Sequence, residues 1–256
     1  MKNNVFLAGK AKNVRVNEYN GRDFVSFTAV IEDPTRRRED GTAISSFIPV
    51  SVSGPQATRL KEKLKDGSNV CVEGHFEPTK KDDTMRYPVN ATSVETMDAG
   101  DVNHALIQGR LTRDPELRTT NNGTEVCTVP IATTRSYSDK NGEWHDVTSF
   151  ITIIGWGNQA KALITFDKGK MVWAIGRLTS RKWTDKNGKD HYPVEVVLEA
   201  VHDGGTGRYN QNGNTAAEQP KASEPDPAAS SNDTFDDSGM FDGGFEDFLD
   251  EELPFN

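Results

Sequence analysis

The sequence predicts an all-β protein of two tandem five-stranded barrels, each with one short helix, followed by a disordered acidic C-terminal tail. Three observations carry the prediction. Strand-like apolar runs alternate with Gly, Asn and Asp turn signals through the first 200 residues. The layout of the first hundred residues recurs in the second hundred. Beyond residue 202 the composition loses its apolar periodicity and turns acidic.

In the first unit, residues 5–9 open a strand and residues 24–30 alternate well enough for a second. Asn20-Gly21 between them is a hairpin signal, because both residues tolerate positive φ. A third strand over 47–52 contains Pro49, which suggests an edge or a bulge. Residues 56–64 have helical spacing, with Leu60 and Leu64 on one face, and stop at Asp66-Gly67. Strands over 70–74 and 87–91 complete the unit. Three strands, a helix and two strands is the order of an OB barrel, a fold that handles single-stranded nucleic acids and oligosaccharides.

The repeat can be checked residue by residue. Asn3 and Gly9 recur as Asn103 and Gly109, Ser46-Phe47-Ile48 as Ser149-Phe150-Ile151, and Gln56-Ala57 as Gln159-Ala160. Gly67 and Gly74 recur as Gly169 and Gly176, and Tyr87-Pro88-Val89 as Tyr192-Pro193-Val194. The offset drifts only between 100 and 105, as expected where loops gain or lose residues. The expected units are therefore 1–97 and 103–202, joined by a linker at 98–102 too short for wide separation, with a tail from 203 to 256.

The formal net charge of −9 conceals two regions. Residues 203–256 hold 13 Asp and Glu against only Arg208 and Lys221, which leaves 28 basic and 26 acidic residues in the body. A near-neutral body with an acidic tail is compatible with a polyanion partner but does not demand one. No apolar run is long enough to span a membrane, and residues 1–5 lack the features of a secretory signal, so a cytoplasmic protein is expected. Cys71 and Cys127 sit alone in strand-like runs and read as buried small hydrophobes. The five histidines are scattered, and no metal or cofactor is expected. No clustered carboxylates, nucleophile-and-base pairing or Gly-rich phosphate loop points to an enzyme.

Aromatic and basic residues interleave in the second unit between Arg135 and Trp183, as in a groove that holds unpaired bases. Strand aromatics are commonly core. Trp183 argues otherwise, flanked by Arg181-Lys182 ahead of the turn Asn187-Gly188. Tyr137 lies between two serines ahead of Asn141-Gly142, and Trp156 lies between two glycines at a strand end. Phe150 fits either reading, Trp173 reads as core or interface, and Trp144 has no clear place. Arg135, Arg181 and Lys182 sit beside the candidate platforms and are candidate phosphate contacts. In the first unit Arg36, Arg37 and Arg38 are either phosphate contacts or a solvated face partly neutralised by Glu39-Asp40.

The second unit resembles bacterial single-stranded DNA-binding proteins. The resemblance rests on the run 109–118, which opens Gly109-Arg110-Leu111, and on Ile131-Ala132-Thr133-Thr134 and Gly155-Trp156-Gly157. Gly176-Arg177-Leu178 and Arg181-Lys182-Trp183-Thr184-Asp185 complete it. It implies base stacking on Tyr137, Phe150, Trp156 and Trp183, and phosphate contacts from Arg110, Arg135, Arg177, Arg181 and Lys182. The tail tip Asp250-Glu251-Glu252-Leu253-Pro254-Phe255 resembles the family's acidic peptide, which recruits replication and repair proteins. Family members end on that phenylalanine, whereas Asn256 follows here, which implies altered docking.

The first unit departs further. At the places of Phe150, Trp156 and Trp183 it offers Phe47, Ser53 and Lys81. With stacking worth about 1–3 kcal/mol per base, it should bind unpaired DNA weakly, through Arg36, Arg37, Arg38, Phe47, Lys80 and Lys81. The expected protein is a non-enzymatic, sequence-tolerant binder of single-stranded DNA serving replication, recombination and repair. A homodimer would present four barrels, by analogy with one-barrel tetramers, and a nucleoid-associated location follows. An OB-barrel adaptor for proteins and a single-stranded RNA binder remain open at this point.

Overall fold

Alternating burial lays down the first strand, β1 (Asn3–Tyr19), which turns Val5, Leu7 and Ala11 into the core. The computed structural model describes residues 1–205 apart from 20, 39, 82–83, 98, 139–141 and 186–187. The tail from 206, including its tip, lies outside the described residues. The first unit continues through β2 (Arg22–Arg37), β3 (Ala43–Ser53), α1 (Pro55–Leu60), β4 (Asn69–Phe76) and β7 (Val89–Glu95). A small hairpin of β5 (Thr79–Lys81) and β6 (Thr84–Arg86) stands between the last two.

Strand order β2-β3-β7-β4-β1, closed by pairing of β1 with β2, makes a five-stranded barrel. The parallel contact of β3 with β7 is brief, Val50 opposite Val89 and Ser51 opposite Asn90. Pro49 lies just outside that contact, in register with Thr28 of β2, so its missing N–H interrupts no ladder on the β7 side. It marks an open edge of β3 rather than a bulge. The expected helix is shorter than its spacing suggests, starting at Pro55 and ending at Leu60, although Leu64 remains buried.

The second unit repeats the design with β8 (Val102–Leu111), β10 (Glu125–Ser138), β11 (Trp144–Trp156), α2 (Asn158–Leu163), β12 (Met171–Ser180) and β15 (Val194–Asp203). The hairpin of β13 (Trp183–Thr184) and β14 (Asp190–His191) stands where β5–β6 does in the first unit, and one short strand, β9 (Leu117–Thr119), is added. The order β8-β12-β15-β11-β10 is closed by β8 against β10, again with one brief parallel contact, β11 to β15. Both barrels are OB folds.

The shared residues explain themselves. The Asn3 side-chain amide donates to the Phe76 carbonyl at 2.7 Å and accepts the Phe76 N–H at 3.0 Å. Asn103 does the same with Leu178, at 2.7 and 2.9 Å. Each asparagine thereby pins the end of its barrel's fourth main strand. At Gly74 and Gly176 a Cβ would lie 2.4 and 2.0 Å from the carbonyl oxygens of Asn90 and Val197, at register shifts where the strand bends.

The barrels join through antiparallel pairing of β1 with β8. Val5 lies opposite Ala105, its own counterpart, while Asn3 faces Ile107 and Leu7 faces Asn103. The contact is self-complementary, like a two-fold interface between separate copies. One buried cluster runs through both units. Cys127 is buried, which pushes its thiol pKa up, and Cys71 is half-buried; both are free. Among the described residues no helix is long and apolar enough to cross a membrane.

Candidate nucleic-acid interface

β10 and β11 pair without a register shift from Val126 opposite Trp156 to Ser138 opposite Trp144. The lower part of this hairpin is barrel wall, where Ile131, Thr133, Ser149 and Ile151 point inward and are buried. The upper part outruns the barrel and is mostly exposed. Paired residues share a side, and sides alternate along each strand. Trp144, Phe150 and Trp156 therefore share the outer face of β11. Phe150 is 53% exposed, Trp144 is 75% exposed, and Trp156 at the base is half-buried.

Tyr137 pairs with His145 and so stands on the opposite side of the ladder from Phe150. It is 41% exposed, with its ring 5.5 Å from that of His145 and the Arg135 guanidinium 5.4 Å from its centroid. Trp183 sits on the β13–β14 hairpin, its indole stacked on His191 at 4.5 Å and tilted 16°, and is 38% exposed. His191 in turn meets Asp185 at 2.9 Å, and Thr184 donates to Asp190, so a small polar frame braces the indole. Three of the four predicted rings thus sit on the two sides of one long hairpin, and Trp183 sits on a separate short one. Trp173 is half-buried, opposite Gln108 and His202.

Each predicted phosphate contact already has a protein partner. Arg110 donates to the Gly169 carbonyl at 3.0 Å. Arg177 lies 3.7 Å from both Asp33 and Glu199, and Lys182 lies 3.2 Å from Asp190. Arg177, Asp33, Lys182 and Asp190 are all half-buried, and only Glu199 among these partners is exposed. Arg135 and Arg181 differ, because their carboxylates, Glu77 at 3.2 Å and Glu195 at 3.0 Å, are buried. Removing Arg181 would leave the buried Glu195 charge without its cation, whereas removing Arg135 would leave Glu77 to its contacts with His75 and Asn90.

The Arg135–Glu77 pair crosses between the barrels and was not foreseeable from residues 58 positions apart. Glu77 also takes hydrogen bonds from His75 at 3.1 Å and Asn90 at 2.9 Å. The His75 contact foremost, with the charge of Arg135 and the Asn90 amide, holds its carboxyl at about 2 despite burial. The N-terminal ammonium of Met1 donates to the Thr134 carbonyl at 2.9 Å, beside a cavity of about 300 Å³ lined by Asn4, His75, Glu77 and Arg135.

The first barrel's candidates are placed differently. Arg36 donates its backbone N–H to Asp33, and Arg37 closes the β2–β3 ladder opposite Ala43. Arg38 lies beside Asp40, whose carboxyl is held below its ordinary value mainly by Thr42 and secondarily by that guanidinium. Phe47 is half-buried, and its N–H donates to the Ser180 hydroxyl of the second barrel at 3.1 Å. Lys80 and Lys81 lie on β5 opposite Met85 and Thr84. Ser53 faces Phe24 as Trp156 faces Val126, so the sequence alignment survives in space. Tyr87 packs against the core, where burial raises its phenol. Sequence reasoning left Trp144 unplaced, although its six-residue spacing from Phe150 in a strand puts both rings on one side. Residues Asp250 to Phe255 lie outside the described residues.

Two closed barrels, one of them carrying exposed rings beside braced cations, define a tandem OB-fold protein of the kind that holds extended chains. Residues 2–97 and 102–202 both match the model of the single-strand binding protein family, and the chain belongs to that family. A single-stranded DNA-binding protein of Streptococcus mutans is 31% identical over 165 residues, 60% of this chain and 99% of that one. One from Deinococcus radiodurans is 27% identical over 252 residues, covering 89% of this chain and 84% of its own. The solved single-stranded DNA binding protein from Thermus aquaticus superposes with a TM-score of 0.64 at 22% identity, covering 79% of this chain and 92% of its own. That last likeness is one of fold.

Proposed function

We propose that the protein binds and protects single-stranded DNA without sequence preference, in replication, recombination and repair. The observation that carries the reading is the set of rings on the second barrel. Tyr137, Phe150 and Trp183 are exposed, and Trp156 is half-buried. Stacking on such rings is sequence-tolerant because every base has a π-face. Arg110, Arg135, Arg177, Arg181 and Lys182 would take phosphates, Arg177 and Lys182 by exchange of their carboxylate partners. The curated relatives carry the same binding activity in their names.

In this reading the units 1–97 and 103–202 divide the work. The second barrel binds bases, and the first contributes weak contacts through Arg36, Arg37, Arg38, Phe47, Lys80 and Lys81. The acidic tail ending in Asp250, Glu251, Glu252, Leu253, Pro254 and Phe255 recruits replication and repair proteins. Two chains associate to present four barrels, in a nucleoid-associated setting in the cytoplasm.

The test is a tryptophan-fluorescence titration of the full chain with oligo-dT of graded length at two salt concentrations. Quenching that saturates, with log affinity falling against log salt at roughly −0.7 per phosphate neutralised, is expected. Absence of quenching with oligo-dT at low salt would refute the reading.

A further inference from the structure

We infer that four charged residues make the joint between the barrels selective for unlike partners. The β1 edge of the first barrel accepts the β8 edge of the second, and each edge rejects a second copy of itself. The inference stands on the fold and does not need the DNA-binding reading. Backbone geometry alone would allow like pairing. Val5 and Ala105 are counterparts that meet on the local two-fold of the joint, so two first barrels or two second barrels could form the same ladder.

The charges break that symmetry. Val30 faces Phe47 as Ala132 faces Phe150, so Asp33 and Arg135, each three residues further along, hold equivalent places. His75 and Arg177 are equivalent too, each following the glycine where its strand bends, and Glu77 matches Thr179. One side of the joint sets Arg135 of the second barrel against Glu77 of the first, at 3.2 Å. The other side sets Asp33 of the first against Arg177 of the second, at 3.7 Å. The places correspond and the signs are exchanged. Pairing two second barrels would bring Arg135 toward Arg177 at both ends, and pairing two first barrels would bring Asp33 toward Glu77. Glu77 is 7% exposed and Asp33 and Arg177 are half-buried, so solvent would screen such repulsion little. Glu199, 3.7 Å from Arg177, and His75, 3.1 Å from Glu77, each belong to the same barrel as the group they touch. They are present in either pairing and do not discriminate. Selection by repulsion of the wrong partner gives the first barrel a task that needs no rings. It is the partner that the charges of the second barrel require.

The test exchanges the residues at the two equivalent places in the full chain, Asp33→Arg with Arg135→Asp, which keeps composition and net charge. Each barrel then complements its own copy and repels the other. Ala105→Cys reports the pairing: opposite Val5 it meets no thiol, whereas between two second barrels it would face its own copy. Cys71 and Cys127 are free, so every sample is read against the same chain without the new cysteine. After mild oxidation, a non-reducing gel should show single chains for Ala105→Cys alone and mostly disulfide-linked pairs in the exchanged background. The linked fraction should rise with protein concentration, because like pairing joins separate chains. Each half of the exchange is also a test by itself. Arg135→Asp with Ala105→Cys should link second barrels, and Asp33→Arg with Val5→Cys should link first barrels, both to a smaller extent. Linked pairs from Ala105→Cys in the otherwise unaltered chain would overturn the proposal. So would single chains in all three altered backgrounds, with or without a cooperative urea transition, since like pairing is open to each of them.

Discussion

The two barrels share one frame, and apart from the short strand β9 what differs between them lies mostly in side chains that the barrel does not need. Both pin their fourth main strand with an asparagine, bend it at a glycine that admits no Cβ, and close with one brief parallel contact. Those shared residues touch backbone. The second barrel is distinguished by Trp156 and Trp183 and by the greater exposure of its Phe150, at 53%. Their counterparts are a Phe47 tied at its backbone to Ser180, an exposed Ser53 and Lys81. The difference teaches that one repeat has kept the frame while the other has also kept the platforms. The charges follow suit: Arg135 of the second barrel reaches a carboxylate of the first, and Asp33 of the first meets Arg177 of the second.

The comparison breaks most visibly if the rings are removed. Trp156→Ala combined with Trp183→Ala should cost roughly 2–6 kcal/mol of binding to oligo-dT, at about 1–3 kcal/mol per platform. Phe47→Ala in the first barrel should change affinity little. Fluorescence anisotropy of labelled oligo-dT reads both, and a Phe47 effect equal to the double variant's would erase the distinction between barrels.

A second prediction concerns the joint rather than the groove. Glu77 has a carboxyl held at about 2, below its ordinary value of 4.5, so its ionised form is favoured by folding. The associated stability, on the order of 3 kcal/mol, is fully present above pH 4.5 and is lost as pH falls toward 2. Glu77→Gln should therefore lower the urea midpoint near neutral pH. The gap between variant and unaltered protein should close as pH falls through that window, since the variant has nothing left to protonate. A gap that stayed constant with pH would show that Arg135 and His75 do not act through the carboxylate charge.

Much of the frame was legible because strand alternation, paired glycines and Asn-Gly turns are local signals. The small hairpins were not, since two or three residues are too few to display a period. Nor was the reach of β1 to Tyr19, whose outer half is largely exposed, polar and charged and includes Asn13 at φ 54° beside a register shift. The rings were legible from their polar flanks. The side of the hairpin that each occupies was not: a register differing by one residue would pair Tyr137 with Asp146 and set it beside Phe150. Ion-pair partners were invisible for a different reason. Arg181 meets Glu195 and Arg135 meets Glu77 only because the barrels close and then dock, and no spacing in the chain encodes that.

The smallest expected effect is also the most direct probe of the contrast, because it adds a ring instead of removing one. Ser53 occupies the place of Trp156 in the first barrel and is exposed, so a larger side chain there meets solvent rather than core. Ser53→Trp should tighten long oligo-dT by roughly fivefold, the low end of about 1–3 kcal/mol for one platform. The low end applies because the neighbouring Phe47 is half-buried and the counterpart of Trp183 is a lysine. The gain should persist in the Trp156→Ala, Trp183→Ala background, where the second barrel can no longer mask it. If the new indole is quenched by DNA and affinity rises, the first barrel lacks only its platforms. If the indole stays unquenched, the path of the strand does not cross this face, and the two barrels differ in where DNA runs as well as in how tightly it is held.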